Sequence, residues 1–101
     1  MRAARTDGNQ TAIVDGLRAN NIVVFITSGV GGGFPDLCCG YNGRNFLIEI
    51  KDPSKPKADR QLTPDQVKFF NAWQGSVIKI EHLHEALEFI YNATLREIHV
   101  A

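Results

Sequence analysis

The pattern of apolar and polar positions predicts seven elements in the order α-β-β-β-α-β-α. Apolar residues at helical spacing predict a first helix over residues 7–19, with Asp7 as a possible cap and Asn20-Asn21 at its end. Residues 22–27 are β-branched and aromatic without alternation, which predicts a strand buried on both faces. The chain therefore opens with a helix followed by a strand.

Two short strands follow, over residues 36–40 and 45–51, joined by a turn at Asn42-Gly43. Asn-Gly is a strong hairpin signal because both residues tolerate positive φ. Asp36 and Glu49 each lie six residues from that turn. Antiparallel pairing about the turn therefore predicts that these two carboxylates are neighbours.

The second strand of this hairpin has two chemically different faces. Side chains alternate along a strand, so Phe46, Ile48 and Ile50 share one face while Glu49 and Lys51 share the other. A carboxylate and an ammonium on so apolar a strand lose solvation unless they pair, bind a metal ion or line a wet cleft. This strand is the first indication of function.

Glycines and prolines separate the remaining elements. The run Gly29–Gly33 predicts a tight turn or a close backbone approach to a ligand, because it lacks the Lys-Ser/Thr of a phosphate-binding loop. The segment 52–62 contains two prolines, which favour a loop. Its basic residues, next to Lys51, make it either a solvated surface loop or an arm for phosphate; they are Lys55, Lys57 and Arg60.

A second helix is predicted to begin at Thr63-Pro64-Asp65-Gln66 and to end near Gly75. Its predicted apolar face consists of Val67, Phe70 and Trp73. A strand over residues 76–80 and a helix over residues 83–91 complete the pattern, and Ile98 and Val100 could extend as a short strand.

Composition bounds the class of protein. The 101 residues, 44% hydrophobic and 22% charged, fit one folded domain with its core at about residues 7–91. No apolar run approaches the roughly 20 residues of a membrane span, and residues 1–10 lack a signal-like segment, so we expect an intracellular protein. The adjacent Cys38 and Cys39 are poorly placed to bond each other, which fits a reducing compartment.

The charges are distributed unevenly although the net charge is zero. Residues 1–80 contain ten Lys or Arg and seven Asp or Glu, whereas residues 81–101 contain Arg96 and four Glu. The candidate site lies in the mildly basic part of the chain.

Pro35-Asp36, a hairpin, and Glu49-Ile50-Lys51 resemble the PD-(D/E)xK nuclease motif. The element order over residues 7–90 is similar to that of the small virus-type replication-repair nucleases, the VRR-NUC branch, which includes phage-encoded resolvase-like enzymes. The resemblance implies a single-domain α/β (α+β) restriction-endonuclease-like fold with a central mixed sheet of about four strands flanked by helices.

The resemblance also implies a site and a reaction. Asp36, Glu49 and the Ile50 carbonyl would hold Mg²⁺, with Mn²⁺ as a substitute, and Lys51 would orient or help to deprotonate the attacking water. Gln66 matches a glutamine that is frequent near this site, although Thr63 and Gln66 also form a capping-box pattern. Mg²⁺ prefers a few carboxylates plus waters, and it lowers the pKa of a bound water. No organic cofactor is implied.

The expected function is Mg²⁺-dependent hydrolysis of DNA phosphodiester bonds, with branched DNA such as a Holliday junction preferred on the resemblance alone. Cutting both strands needs two sites, so a symmetric homodimer is expected. Many relatives carry an acid on the first helix, where this chain has Asn9, Gln10 and Ala12. A noncatalytic nucleic-acid-binding or assembly module therefore remains an alternative. A nicking or restriction-like nuclease that reads sequence is a further one.

Overall fold

A computed structural model describes residues 8–100, with side chains as far as Leu95. Four strands and three helices follow the predicted order α-β-β-β-α-β-α. The helices are α1 (Gln10–Ala19), α2 (Pro64–Ala72) and α3 (Leu83–Val100). The strands are β1 (Val23–Ile26), β2 (Leu37–Tyr41), β3 (Arg44–Ile50) and β4 (Val77–Ile80), and a short 3₁₀ turn spans Lys57–Arg60.

The strands form one mixed sheet in the order β1-β2-β3-β4. β1, β2 and β3 are antiparallel neighbours, whereas β4 is parallel to β3 because α2 lies between them in the chain. Asn42 and Gly43 both have positive φ, at 54° and 78°, as the predicted hairpin turn requires. This part of the sequence prediction is confirmed.

One face of the sheet packs on α1 and α3 and forms the core. Alternate strand residues face these helices, and the largest contributions come from Leu17, Leu37, Phe46, Ile48, Ile50, Ile80 and Ile90. The other face is covered only in part, by α2, which has no buried residue of its own. This second face carries Glu49 and Lys51, so the sheet separates the core from the candidate site.

The prediction that the first strand is buried on both faces is wrong. Only Val24 of β1 is buried, while Val23, Phe25 and Ile26 are 60%, 70% and 54% exposed. β1 is an edge strand of the sheet. A non-alternating apolar run therefore lies at an edge of the sheet, with three of its four side chains exposed.

The ends of two helices also differ from the prediction. α1 begins at Gln10 with Asn9 in the cap position, and Asp7 lies outside the described residues. α3 continues to Val100, so Ile98 and Val100 belong to a helix and not to a strand. No glycine or proline follows Tyr91 to end that helix.

α2 ends at Ala72, three residues before Gly75, and its predicted apolar face is not the observed one. Val67 and Trp73 are 43% and 42% exposed. The aromatic contact is made instead by Phe69, whose ring lies 5.3 Å from that of Phe34 and 5.0 Å from that of Trp73. Phe34 therefore packs the glycine-rich loop against α2.

The glycine run serves this close packing. Gly31, Gly32 and Gly33 all have positive φ, and a Cβ at Gly33 would overlap the main-chain carbonyl of Asp65. The expected close backbone approach is thus present, but the approach is to the first turn of α2. Within the part of the chain that the structure describes, no helix is long and apolar enough to cross a membrane.

Candidate active site

The hairpin brings the two predicted carboxylates together. Leu37 lies opposite Ile48, so Asp36 and Glu49 occupy the next facing positions, where β2 begins and β3 approaches its end. Asp36 is further fixed by its Oδ2 atom, which accepts a hydrogen bond of 2.8 Å from the Ile50 N–H. Glu49 is only 4% exposed although it is a carboxylic acid. Asp36 and Glu49 thus form the acidic centre of the site.

Lys51 lies on the same face as Glu49, as the alternation of the strand predicts. Its ammonium is 3.5 Å from Glu49 Oε2 and donates a hydrogen bond of 2.9 Å to Gln66 Oε1. The residue is 8% exposed. Its main chain is also held, because the Lys51 carbonyl accepts a bond from the Asn9 side-chain amide. A buried lysine with this many contacts is positioned rather than mobile.

Gln66 joins the helix cap to the charged residues. Its Oε1 atom accepts from the Thr63 N–H at 2.9 Å, and its main-chain N–H donates to Thr63 Oγ1, which completes the capping box. The same Oε1 accepts from Lys51, and Nε2 donates to Glu49 Oε2 at 3.0 Å. Gln66 therefore caps the helix and contacts the charged residues Lys51 and Glu49 at the same time.

Burial, together with the neighbouring carboxylate of Asp36, raises the pKa of Glu49 to about 8. Lys51 acts against both by favouring the ionised form. One ammonium does not offset two carboxylates and the loss of water around Glu49. The centre therefore retains a proton near neutral pH unless another cation enters.

A divalent cation fits this donor set. Mg²⁺ is held in proteins by one or two carboxylates together with waters, and Asp36 and Glu49 provide two. The N–H and C=O of one strand residue face the same neighbour, so the Ile50 carbonyl is directed to the side on which its N–H meets Asp36. Among the described residues no group of three His, Cys, Asp or Glu side chains is placed to hold a metal ion. Any ion here would thus keep several waters.

The two carboxylates open into a polar pocket of about 350 Å³ between the glycine-rich loop and the start of α2. Ser28, Thr63 and Asp65 line it although the sequence did not indicate them as site residues. Thr63 and Asp65 were read only as helix-start chemistry, and nothing around Ser28 distinguishes it from a turn residue. Their place in the pocket follows from the packing of the loop on α2.

The three basic residues of the loop have different positions. Lys55 lines the pocket, and Lys57 is exposed on the 3₁₀ turn. Arg60 is directed to Glu81, with Nη1 3.2 Å from Oε1, and this pair fixes the loop to the end of β4. The structure therefore brings Lys55 to the carboxylates and not Arg60.

The first helix approaches the site without an acid. Asn9 donates its amide to the carbonyls of Lys51 and Glu81, at 3.1 and 2.9 Å. Gln10 is 4% exposed, and its Oε1 accepts a bond of 3.3 Å from Ser28 Oγ, which lines the pocket. α1 is thus linked to the site by neutral amides.

Comparison with family models, curated proteins and solved structures gives no match for this chain.

The raised pKa of Glu49 predicts that stability without metal falls as pH rises from about 4.5 to about 8. Over that range the folded chain binds a proton that the unfolded chain has lost, so each unit of pH favours unfolding. Urea unfolding with EDTA at several pH values measures this slope. We expect the Glu49 carboxyl, followed by ¹³C NMR, to titrate at lower pH in Asp36→Asn, because one of the charges that raise its pKa is removed.

Addition of Mg²⁺ provides the control for that measurement. The ion should raise the melting temperature of the wild-type chain at pH 8 and should have little effect on Asp36→Asn, which loses a ligand. A Glu49 carboxyl that titrates at its ordinary value in the wild-type chain would contradict this description of the site.

Substitution of Gln66 separates its two roles when it is compared with Thr63→Ala. Both Gln66→Ala and Thr63→Ala break the capping box and should each cost about 1 kcal/mol of stability. Only Gln66→Ala removes the amide that donates to Glu49, so only this variant should raise the pKa of Glu49 further. Equal NMR titrations of Glu49 in the two variants would leave Gln66 as a cap alone.

Proposed function

We propose that this chain is a Mg²⁺-dependent endonuclease that hydrolyses DNA phosphodiester bonds. One observation carries the proposal: Asp36, Glu49 and Gln66 line one pocket, and the Lys51 ammonium contacts both Glu49 and Gln66 beside it. The resemblance of Pro35-Asp36 and Glu49-Ile50-Lys51 to the PD-(D/E)xK motif, with the element order of the VRR-NUC branch, supports the same reaction.

The residues divide the work between binding and proton handling. Asp36, Glu49 and the Ile50 carbonyl would hold the cation, which when bound would withdraw charge from the phosphate and lower the pKa of a water. Lys51 orients the attacking water and offsets the negative charge that develops on the phosphate. Gln66 keeps the Lys51 ammonium and the Glu49 carboxylate in register, at 2.9 and 3.0 Å. Mn²⁺ should substitute for Mg²⁺ because it accepts the same oxygen ligands.

The preferred substrate is DNA that is branched, such as a Holliday junction or a flap. This preference rests on the resemblance to the VRR-NUC branch alone. Cleavage of linear duplex at a fixed sequence would instead indicate a nicking or restriction-like nuclease.

Two copies acting as a homodimer would place two sites on one DNA molecule. Val23 and Phe25, exposed on one face of β1, offer an uncharged surface for the second copy, and Ile26 is exposed on the opposite face. Arg18 donates to the Val24 carbonyl at 2.9 Å. This bond occupies part of the free backbone of β1, so the side chains would make more of the contact than the strand edge itself.

A noncatalytic nucleic-acid-binding module is the second candidate. The neutral Gln10 favours it, since this buried amide meets the pocket through Ser28 where an acid would add a metal ligand. Such a module would keep the basic Lys55 beside the carboxylates and bind branched DNA without cutting it.

Cleavage of a four-way junction, a flap and a linear duplex in Mg²⁺ or Mn²⁺ tests the proposal. Lys51→Ala and Asp36→Asn should each reduce the rate at least about a hundredfold, because each removes a group that acts on the water or the cation. Lys68→Ala is the matched control, since Lys68 is an exposed lysine of α2 that does not line the pocket.

Three outcomes of this assay are decisive. Undiminished cleavage by both Lys51→Ala and Asp36→Asn would overturn the site. Tight junction binding without cleavage in either metal would favour the noncatalytic module. Unimpaired cleavage by Lys68→Ala is required for the losses in the other variants to be assigned to the site.

The basic loop should contribute through Lys55 more than through Arg60. Lys55→Ala should make the plot of log binding constant against log salt shallower by roughly one, the effect of one lost phosphate contact. Arg60→Ala should cost at most about 1 kcal/mol of stability by freeing Glu81, and should leave that slope unchanged. Lys57→Ala, at an exposed position, reports whether DNA extends along the 3₁₀ turn. Equal flattening by Arg60→Ala and Lys55→Ala would contradict this assignment.

A further inference from the structure

A second concavity, which we call the aromatic groove, lies beside the carboxylates on the same face of the sheet. It has a volume of about 650 Å³. Cys38 and Leu47, directly opposite each other in β2 and β3, form its floor, and Phe34 and Trp73 form a wall. A groove of this size is typical of small-ligand sites.

The aromatic groove adjoins the carboxylate pocket. Phe34 lines both of them. Along the strands, Cys38 is two residues from Asp36 and Leu47 is two residues from Glu49, so the floor begins roughly 7 Å from the carboxylates. A nucleotide next to a phosphate in the pocket therefore has the groove within reach of its base.

The chemistry of the groove matches a nucleobase. Trp73 is 42% exposed, and its ring is held by stacking on Phe69 at 5.0 Å and 20° and by an edge contact with Phe34 at 6.4 Å. A fixed, half-exposed indole is a stacking platform for a base. Arg44 and Asn45, on the hairpin side of the groove, add hydrogen-bonding groups at its rim. A purely apolar partner would have no use for them.

We propose that the aromatic groove is a binding subsite for an unpaired nucleobase of the strand whose phosphate lies at Asp36 and Glu49. The location of that phosphate rests on the proposed function, whereas the capture of a base does not require cleavage. The substrate would then be DNA with an unstacked nucleotide next to the cut, a feature that branched DNA has and continuous duplex lacks. A second copy of the chain is the competing occupant.

Trp73 is the only tryptophan, so its fluorescence reports directly on the groove. The wild-type chain in EDTA, without catalytic metal, is titrated with a single-stranded oligothymidylate and with an abasic oligodeoxyribose phosphate of the same length. We expect the oligothymidylate to quench the fluorescence and the abasic strand to leave it nearly unchanged. Equal quenching by the two strands would overturn the proposal.

Anisotropy of labelled strands then compares three variants. Trp73→Ala should weaken binding of the oligothymidylate by about tenfold or more, and Trp73→Phe should retain most of it, because a ring can still stack. Neither change should alter binding of the abasic strand. Val67→Ala is the matched control, since Val67 is exposed on α2 and lies outside the groove.

The remaining outcomes separate this proposal from the nuclease proposal. Light scattering measures whether Trp73→Ala lowers the molar mass. A lower molar mass with unchanged base binding would show that a second copy occupies the groove, and would overturn the subsite. Base-selective binding without cleavage of any DNA would support the subsite and contradict the nuclease assignment. Metal-dependent cleavage, with no difference in binding between oligothymidylate and the abasic strand, would support the nuclease assignment and overturn the subsite. Trp73→Phe keeps the test valid if Trp73→Ala does not fold.

Discussion

The register of the β2–β3 hairpin is the constraint on which the site depends. Asn42 and Gly43 adopt positive φ at the turn, and this fixes which residues face each other in the two strands. A slip of one residue would move Glu49 and Lys51 to the core face and bring apolar residues to the pocket. The requirement for a buried face on β3 and the geometry of the turn thus select the same pairing. The strand pairing that builds the core therefore also brings Asp36 close to Glu49.

The pairing of Asp36 with Glu49 has an electrostatic cost that the neighbouring residues offset only in part. Two carboxylates meet where β2 begins and β3 approaches its end, and burial together with Asp36 raises the pKa of Glu49 to about 8. Lys51 reduces the repulsion, and Gln66 connects the lysine to Glu49 through one amide. A scaffold selected for stability alone would replace such a cluster with apolar residues. The cluster is physically reasonable if a cation takes up the unbalanced negative charge.

Local chemistry made the hairpin and the start of α2 predictable from sequence. The Asn42-Gly43 turn and the Thr63-Gln66 cap each depend on a few adjacent residues, so the pattern alone indicates them. The exposure of Phe25 and Trp73 could not be inferred in that way. Both residues have core-like side chains, and their exposure depends on where the fold places them: Phe25 lies on an edge strand, and Trp73 directly follows α2. Long-range packing also decides that Arg60 meets Glu81 and that Gln66 reaches Glu49.

The site can hold only a limited positive charge, because α1 contributes the neutral Gln10 and not an acidic residue. With both carboxylates ionised, Asp36, Glu49 and Lys51 sum to one negative charge. One divalent cation changes this to one positive charge, which a phosphate from DNA can neutralise. A second cation would leave a larger positive excess, and Gln10, buried and bonded to Ser28, supplies only a neutral amide where α1 approaches the pocket. If the site binds a divalent cation as proposed, this charge balance would favour a single, well-hydrated ion. Lys51, whose ammonium is held by both Glu49 and Gln66, would then take the place of a second cation.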